Sequence, residues 1–357
     1  MGKNTVFITG STGLLGSYIA KLLLQNGYRV YVLARAKDNK SAQERVIDTL
    51  RFWDNKILNE IDNLIVLEGD ITQEGLGLNK KTVNLLKSQI EEIFHCAAVT
   101  LFNWPLNKIR KVNVEGTRNI LELSLACRKL KKINHISTIF VHGDYKGLFR
   151  EDCLDVGQKF NIPYEQSKFE AEKLIEKYRK KGLWINIYRP GIIIGESTSG
   201  KIFKFEHIYQ LLHLWSLESL EIFPIKNASL NLSPVDLTST LLYFLSTRVN
   251  IKNINYHLLS VQPISTLDFF DFAKNYIGFK KPIRIDWEKY NIDDLTPAQR
   301  ILIKKVTIFN IISSTRVSCV LTKRILKKYK FHWPFYDNTF LVNIIKYALN
   351  AKFIKKI

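Results

Sequence analysis

A short apolar run, Thr5–Thr9, leads directly into three glycines, Gly10, Gly13 and Gly16, with two residues between each. Helical apolar spacing follows, so this stretch is predicted to be a strand, a turn and a helix. Gly10 would allow the tight turn, Gly13 would let backbone approach a pyrophosphate, and Gly16 would let helix and strand pack closely. The N–H groups that begin the helix would then face the phosphates of a bound dinucleotide. The loop residues predicted to bind it are Gly10, Ser11, Thr12, Gly13, Leu14, Leu15 and Gly16.

The first 195 residues alternate short β-rich runs with helical patterns, which is typical of a parallel sheet covered by helices on both faces. The predicted strands are Thr5–Thr9, Arg29–Ala34, Leu64–Leu67, Glu92–Cys96, Ile133–Ser137 and Trp184–Tyr188. The predicted helices are Leu15–Asn26, Val114–Lys129, Tyr164–Lys181, Phe205–Leu217, Leu237–Leu245 and Thr266–Ile277. The fold class is therefore α/β: a Rossmann doubly wound parallel sheet with a smaller, mostly helical C-terminal substrate domain.

The alternation ends near Gly195, and this sets the expected domain organisation. Residues 1–195 are expected to form the nucleotide-binding Rossmann domain, with 232–247 returning to it and Val235–Asp236 briefly rejoining the sheet. Residues 196–231 and 248–357 are expected to form an interleaved substrate-binding domain. The cleft between the two is the default site, lined by the Ile193–Lys204 loop and the Phe223–Asn231 segment.

The end of the second predicted strand bears on which dinucleotide binds. A site for NAD usually has an acidic residue there, which hydrogen-bonds the ribose 2′-hydroxyl. This strand ends in Ala34, and Arg35 follows, with Lys37 and Arg45 nearby. A guanidinium binds a 2′-phosphate that a carboxylate would repel, so NADPH is favoured, although Arg35 as a plain surface charge stays open. Asp70 is predicted either to meet the adenine or to cap a turn.

Tyr164 and Lys168 lie one helical turn apart on one predicted helix face. The lysine charge is expected to lower the tyrosine pKa, which would make the phenol a proton donor and acceptor near neutrality. Tyr276 and Lys280 have the same spacing, but Gly278 lies between them and indicates a helix end.

Thr138 closes the fifth predicted strand, at the sheet edge where ligands of open α/β sheets bind. It is the preferred hydroxyl for stabilising a substrate oxygen, with Ser137 as support; a buried hydroxyl satisfying backbone is the alternative. Asn113 is predicted to orient water or backbone near Lys168. The catalytic set is therefore Thr138, Tyr164 and Lys168.

The net charge of +20 is concentrated toward the C-terminus, where residues 301–357 hold twelve Lys or Arg and one acid, Asp337. Such a positive field would suit a nucleic acid, an anionic membrane or an acidic protein as partner. A plain compositional bias toward lysine is the alternative explanation of the charge. No nucleic-acid module accompanies the charge, so we expect no nucleic-acid partner. Phe340–Ile354 has amphipathic helical spacing and is interpreted as the closing helix of the substrate domain, with peripheral membrane contact as the alternative.

Four scattered cysteines indicate free thiols in a reducing cytoplasm, and no metal-ligand spacing is present. His207 and His213, six residues apart, are assigned no role. Neither a signal peptide nor a membrane span is recognised.

Taken in order, these residues resemble the extended short-chain dehydrogenases and reductases, over about residues 5 to 245. The features that carry the resemblance are the glycine loop, Gly69–Thr72, His95–Val99 with Pro105, Asn113–Thr117, Ser137–Thr138, Tyr164 with Lys168, and Tyr188–Gly191. Arg35–Ala36 and Leu76–Leu78 favour the branch of thioester reductases and fatty acyl-CoA reductases. The resemblance further implies a cofactor site that comprises Arg35, Arg45, Asp70, Ile71, Ala97, Ala98, Asn113, Tyr164, Lys168, Arg189, Pro190, Gly191 and Ile192.

That branch reduces a thioester on a phosphopantetheine arm or coenzyme A to an aldehyde, and in some members to an alcohol. Relatives are often fused to carrier domains, whereas Met1 here lies just before strand one and no carrier serine motif is found. The substrate is therefore expected on a carrier protein in trans or on CoA. Other extended-family chemistry on a nucleotide sugar, hydroxysteroid or small ketone, and a non-catalytic NADP-binding regulator, are the alternatives. The oligomeric state stays open.

Overall fold

The computed structural model describes residues 4–218, 221–259, 262–286, 315–332 and 339–355, together with 291, 296, 297 and 300. Its centre is a sheet of seven parallel strands in the order β12-β7-β5-β4-β1-β2-β3. These strands are β1 (Thr5–Thr9), β2 (Arg29–Ala34), β3 (Leu64–Glu68), β4 (Glu92–His95), β5 (Lys132–Ile136), β7 (Ile185–Pro190) and β12 (Asn255–Leu258). The order reverses between β1 and β4, and there the carboxyl ends of the strands open a crevice.

Helices cover both faces of this sheet. The helices are α1 (Leu14–Gln25), α2 (Ala42–Trp53), α3 (Lys80–Gln89), α4 (Leu106–Arg110), α5 (Gly116–Leu125), α6 (Pro163–Lys180), α7 (Ile208–Ser216), α8 (Val235–Arg248), α9 (Thr266–Ile277), α10 (Val320–Lys328) and α11 (Thr339–Asn350). Side chains alternate along each strand, so Val6 and Ile8 pack under α1, α2 and α8 while Phe7 packs under α3, α5 and α6. The predicted doubly wound α/β sheet is confirmed.

Short strands build the part of the chain that lies over the sheet edge. They are β6 (Leu148–Phe149), β8 (Ile192–Ile194), β9 (Ile222–Ile225), β10 (Ser229–Leu230), β11 (Leu232–Pro234), β13 (Ile264–Ser265), β14 (Ile283–Asp286) and β15 (Arg316–Val317). They pair in twos: β8 with β11, β9 with β14, β10 with β13, and β6 with β15. Their core also includes α7, α9 and α11, with Trp215 and Phe270 among its buried rings.

Two expected boundaries differ from the structure. Residues 248–357 were expected to belong wholly to the substrate part, but β12 is the edge strand of the central sheet, and α10 packs on the sheet through Ile325 and Leu326. β12 has only four residues and no continuous apolar run, so the sequence pattern does not reveal it. Val235–Asp236 does not rejoin the sheet; it begins α8, which packs against α1.

The C-terminal helix α11 closes the substrate-side core. Its apolar positions Leu341, Ile344 and Ile345 are 0% exposed. The face that was considered for a membrane interface is therefore already covered by protein, as the favoured interpretation expects. No helix in the described ranges is long and apolar enough to cross a bilayer.

Candidate active site

The glycine loop follows β1 and makes the turn that was predicted. Gly10 has φ +75°, and a Cβ there would lie 2.6 Å from the backbone nitrogen of Ala97. A Cβ on Gly16 would lie 2.3 Å from the Gly10 carbonyl oxygen. Both positions therefore exclude a side chain because neighbouring backbone occupies its place. Six loop residues line a cleft at the carboxyl edge of the sheet: Gly10, Thr12, Gly13, Leu14, Leu15 and Gly16.

The loop has free hydrogen-bonding groups of the kind that a phosphate needs. Ser11 is buried, and within the described part of the chain its hydroxyl has no hydrogen-bond partner. Helix α1 begins after Gly13 without a side-chain cap, so its first N–H groups remain available to an anion. A dinucleotide pyrophosphate fits these donors.

The basic residues after β2 divide into two environments. Arg35 has 63% of its side chain exposed and pairs with Asp70, 3.4 Å away, at the outer side of the loop. Arg45 donates to the Arg35 carbonyl and reaches the Thr12 hydroxyl at 3.5 Å. Arg45 and Lys37 line the cleft, whereas Arg35 does not. Of the two arginines predicted to bind the cofactor, Arg45 faces the cleft and Arg35 does not.

Asp70 and Ile71 do not line the cleft, in contrast to the prediction for the adenine side. The Asp70 carboxylate accepts the backbone N–H of Thr72 at 2.8 Å, so it closes the turn after β3. Burial raises the pKa of Asp70, but the hydrogen bonds to Thr72 and Arg35 outweigh it and leave this pKa below its ordinary value. Ile71 instead packs against Gly116 at the start of α5. The alternative role as a turn cap is the one that the structure gives Asp70.

The three predicted catalytic residues meet at one end of the same cleft. Thr138 follows β5, and its hydroxyl accepts the Phe140 N–H at 3.3 Å, beginning a 3₁₀ turn. Pro163 starts α6, so Tyr164 and Lys168 stand on its first turns. Thr138, Tyr164 and Lys168 are all nearly buried and all line the cleft beside the glycine loop. The end of β5 and the start of α6, which have only short elements between them in the chain, therefore bring one proton-bearing cluster to the crest of the sheet.

The acidity of Tyr164 differs from the expectation. Burial raises the pKa of Tyr164, and a hydrogen bond with Thr138 offsets only part of that shift. The expected lowering by Lys168 is absent because the ammonium is turned toward the sheet, where it donates to the Ile136 carbonyl at 2.7 Å. The phenol is therefore protonated at neutral pH and is a proton donor rather than a base.

Lys168 is a basic residue that lines the cleft one helical turn from Tyr164. Burial lowers the pKa of Lys168 to about 8, although the carboxylate of Glu172 on the same helix and the Cys96 thiol oppose that shift. Burial also raises the pKa of Cys96 to about 12, so this thiol, which lines the cleft, is uncharged. The ammonium form prevails at neutral pH, but only by a modest margin.

Arg189 was predicted to touch the cofactor, and the structure places it elsewhere. Its side chain is 0% exposed and forms a buried pair with Glu172, with Nη2 and Oε2 2.6 Å apart. Ser137 donates to the same carboxylate, so the strand ends of β5 and β7 are joined to α6. The residues after Arg189 do line the cleft as predicted: Pro190, Gly191 and Ile192.

Asn113 also supports the site from behind. It lies in one turn of π-helix, Lys111–Glu115, and its amide bonds both the N–H and the carbonyl of Val99. A further N–H donates to Ser167 at 2.9 Å. Asn113 is therefore buried outside the cleft and orients backbone rather than cofactor. Of the two alanines predicted at the cofactor, Ala98 lines the cleft and Ala97 supports the Gly10 turn.

The opposite wall of the cleft is mostly apolar and aromatic. The cleft has a volume of about 380 Å³, and its substrate-side residues are Thr100, Phe102, Phe140, Ile193, Ile202, Phe203, Lys204, Glu206 and His207. The predicted Ile193–Lys204 loop supplies four of them. The predicted Phe223–Asn231 segment supplies none; Phe223 and Ile225 are buried in the core beneath α7 and α9. Most of the apolar residues of this segment belong to β9 and β10 and pack into the core, and sequence alone does not distinguish such strands from a cleft wall.

His207 lines the cleft, although the sequence interpretation assigned it no role. Its ring stacks on Phe102 with centroids 4.7 Å apart, and Phe102 in turn contacts the ring of Tyr164 at 5.5 Å. Its backbone has φ +54° at the start of α7. No spacing to another residue marks it in the sequence, because its neighbours in the site come from other segments.

In the described ranges, no group of three His, Cys, Asp or Glu residues is placed to hold a metal ion. All four cysteines are free thiols. The groups in the cleft that bear protons include the Thr138 hydroxyl, the Tyr164 phenol and the Lys168 ammonium.

Comparison with known proteins agrees with this geometry. Residues 8–242 match the family model described as Male sterility protein, an NAD-binding family. A linear gramicidin synthase of Brevibacillus parabrevis is 29% identical over 259 residues, which are 71% of this chain and 5% of that protein. A putative fatty acyl-CoA reductase of Drosophila melanogaster is 33% identical over 150 residues, 40% of this chain and 29% of that protein. The chain thus spans less than a third of either relative.

Among solved structures, the terminal R domain from the myxalamid PKS-NRPS biosynthetic pathway superposes with a TM-score of 0.86 at 24% identity, covering 100% of this chain and 93% of that one. This likeness extends the shared fold beyond residue 242 to the C-terminal part. With the family model covering well over half of the sequence, the chain belongs to the male sterility family of NAD-binding oxidoreductases, in the thioester reductase and fatty acyl-CoA reductase branch of the extended short-chain dehydrogenases and reductases.

Proposed function

We propose that this protein reduces an acyl thioester to an aldehyde with NADPH. The observation that carries the proposal is the cleft itself, in which Thr138, Tyr164 and Lys168 lie beside the glycine loop and opposite an apolar wall. The relatives support a thioester rather than a sugar or a ketone, since one is a putative fatty acyl-CoA reductase.

The residues of the cleft have distinct roles in this reaction. Bound NADPH supplies a hydride, so thioester, hydride and one proton give an aldehyde and a free thiol. Tyr164 is protonated, because burial raises its pKa, and it donates a hydrogen bond or its proton to the oxygen that gains charge. The Thr138 hydroxyl stabilises the same oxygen. Lys168 holds its positive charge beside them and is the residue that would bind the nicotinamide ribose.

The preference for NADPH over NADH rests on the residues that follow β2. Ala34 leaves the strand end without a carboxylate, and Arg45 and Lys37 face the cleft beside Thr12. A 2′-phosphate is a strong acceptor for a guanidinium, whereas a ribose hydroxyl gains little from one. Arg45 with Lys37, rather than Arg35, is therefore the proposed phosphate site.

The acyl chain is proposed to lie along the apolar wall formed by Phe102, Phe203 and Ile202. Partial reduction to the aldehyde is the minimal outcome, and a second reduction of the aldehyde to an alcohol would use the same groups. The four free thiols suit a reducing compartment, so we propose that the protein works in the cytoplasm.

The thioester carrier is proposed to be a separate acidic carrier protein. Helix α10 presents an exposed basic face, formed by Lys323, Arg324, Lys327 and Lys328. Charge reversal of these four residues is expected to raise KM several-fold for a carrier-borne thioester and to leave KM for the free acyl-CoA unchanged. Reversal of Lys177 and Lys180 on α6 is the matched control. An unchanged KM for the carrier-borne substrate contradicts this docking surface.

The decisive experiment supplies NADPH with a panel of acyl-CoA and acyl-carrier thioesters and follows reduced-nicotinamide absorbance together with aldehyde release. Tyr164→Phe removes the proton donor and keeps the ring, so kcat is expected to fall at least about 100-fold. NADPH binding by the variant is expected to be retained. A chain that binds NADPH but reduces no thioester, with or without Tyr164, is instead a regulator; reduction of a sugar nucleotide or ketone alone assigns the other family chemistry.

A further inference from the structure

A buried histidine lies on the sheet side of Lys168. His135 is on β5, three residues before Thr138, and is 1% exposed. Its Nε2 lies 3.4 Å from Nζ of Lys168, which also donates to the Ile136 carbonyl at 2.7 Å. Two neighbouring positions of one strand therefore both contact the ammonium from below.

The direction of the contact follows from counting protons. A lysine ammonium has only donors, so Nε2 of His135 must offer its lone pair, and the ring carries its proton on Nδ1. Burial, together with the charge of Lys168 and the nearby His95 and Arg179, holds the pKa of His135 well below its usual range. The imidazole is therefore neutral at every pH at which the protein is expected to work.

A second neutral imidazole, His95 on β4, lies 5.2 Å from the His135 ring. Thr117 donates its only hydroxyl proton to the Asn113 carbonyl at 2.7 Å, so it accepts from Nε2–H of His95 at 3.0 Å. Nδ1 of His95 must then accept from the Thr9 hydroxyl, 2.7 Å away. Burial, together with the charge of Lys168, lowers the pKa of His95 to about 3. The two imidazoles beneath Lys168 therefore carry no positive charge at neutral pH.

We propose that His135 is a positioning residue that accepts a hydrogen bond from Lys168 and directs the remaining N–H of that ammonium into the cleft. An ammonium has three N–H bonds, and Ile136 and His135 receive two of them. The third is then left for a ligand in the cleft, which Lys168 lines. The role of His135 in catalysis rests on the proposed function, whereas its contact with Lys168 does not.

The other titratable groups around Lys168 lie on helix α6 and at the end of β4. Glu172 and Tyr164 are on its own helix α6, Cys96 follows β4, and His95 is on β4. Glu172 favours the ammonium, and Cys96 and Tyr164 are uncharged at neutral pH. None of these groups replaces the His135 acceptor when it is lost. The ammonium form of Lys168 should therefore become less stable in a variant that lacks this acceptor.

The test measures the titration of Lys168 directly, in the cofactor-free protein, by NMR of ¹³C-labelled lysine with Lys168→Met for assignment. His135→Leu removes the acceptor at similar volume, and the Lys168 pKa is expected to fall by about one unit. His135→Gln keeps an amide oxygen at nearly the same reach and is expected to restore the pKa. His142→Leu, at a buried histidine that bonds the Gly143 carbonyl instead, is the control and should leave the Lys168 pKa unchanged.

An unchanged Lys168 pKa in a folded His135→Leu variant overturns the proposal, and so does a fall that His135→Gln fails to reverse. Should His135→Leu not fold, His135→Asn is compared with His135→Gln, because the shorter amide cannot reach Nζ; equal pKa values in that pair overturn the proposal too. With a thioester substrate in hand, the alkaline limb of kcat/KM is expected to move to lower pH in step with the NMR titration. A shifted titration in a protein that reduces no thioester keeps this inference and removes the proposed function.

Discussion

The two sides of the cleft are built in different ways. On the nucleotide side, several lining residues lie shortly after the end of a strand of the central sheet: Gly10 after β1, Ala98 after β4 and Thr138 after β5. Tyr164 and Lys168 stand on the first turns of α6. On the substrate side, the lining comes from the Thr100–Phe102 loop and from residues 193–207, which belong to no long element. Local backbone geometry therefore positions the residues of the nucleotide side. The residues of the substrate side need contacts with other parts of the chain to hold them in place.

That support comes from the C-terminal segment. Asn343 on α11 donates to the Ser197 carbonyl at 2.9 Å, and Gly200 approaches the Asn343 carbonyl so closely that a Cβ would lie 2.1 Å from it. Phe353 stacks on Phe205 with centroids 4.4 Å apart. A wall of the active site therefore depends on contacts that span about 150 residues, as the Asn343 bond spans 146. Function on this side is expected to be sensitive to changes far from the chemistry.

Three glycines with nearly the same backbone angle allow this difference to be tested. Gly10, Gly200 and Gly27 have φ of +75°, +70° and +76°. An alanine at Gly10 meets the backbone of Cys96 and Ala97, and one at Gly200 meets the backbone of α11, whereas nothing lies within 4 Å of a Cβ at Gly27. Gly27→Ala therefore reports the cost of the left-handed angle alone.

The largest effect is expected for Gly10→Ala. The left-handed angle and the clash together are expected to lower the free energy of unfolding by about 3 kcal/mol or more, and NADPH binding should be lost. Urea denaturation and NADPH fluorescence titration measure the two quantities. In the Gly27→Ala control, the free energy of unfolding should fall by about 1 kcal/mol and the affinity for NADPH should stay unchanged. Retained NADPH affinity in Gly10→Ala would show that local geometry does not control this side.

Gly200→Ala is expected to have an intermediate effect, confined to the substrate side. The methyl group must displace either the 196–204 loop or α11, so KM for the thioester should rise about tenfold. The dissociation constant for NADPH is expected to stay as in the unaltered protein, because the glycine loop is not touched. Equal losses of both ligands would mean that the two sides of the cleft are not independent, which contradicts the comparison.

The smallest effect is expected within the nucleotide side, where Arg45 is compared with Arg35. Arg45→Gln removes the guanidinium that faces the cleft and should weaken NADPH binding about fivefold. The affinity for NADH should stay unchanged. Arg35→Gln should change neither, because its guanidinium pairs with Asp70 outside the cleft. Isothermal titration calorimetry with NADPH and with NADH gives the ratio of the two dissociation constants for each variant. A larger loss in Arg35→Gln restores the assignment that the sequence order suggested.

The sequence was sufficient where function follows from a strand end. The spacing of Gly10, Gly13 and Gly16 predicts the loop, and the position of Thr138 after an apolar run predicts its place at the cleft. Tyr164 and Lys168 are one helical turn apart, so their common face follows from helix geometry. Neighbours in sequence are neighbours in these elements, and the parallel sheet brings their ends to one edge.

Side-chain direction and long-range packing could not be obtained in the same way. Arg189 follows the family pattern in sequence, yet a buried carboxylate on α6 draws it away from the cleft. Arg35 is next to the strand, but Arg45 is the guanidinium that reaches Thr12. His207 has no recognisable partner in sequence because Phe102, which stacks on it, is about a hundred residues away.

The sequence by itself determined the parallel sheet, the nucleotide loop and the three groups that bear protons, since each depends on residues within one or two adjacent elements. Only the tertiary structure decided the ionisation of those groups, the neutral histidines beneath Lys168 and the wall supported by α11. Burial and hydrogen bonding control these properties, and both depend on which distant segments fold over the site.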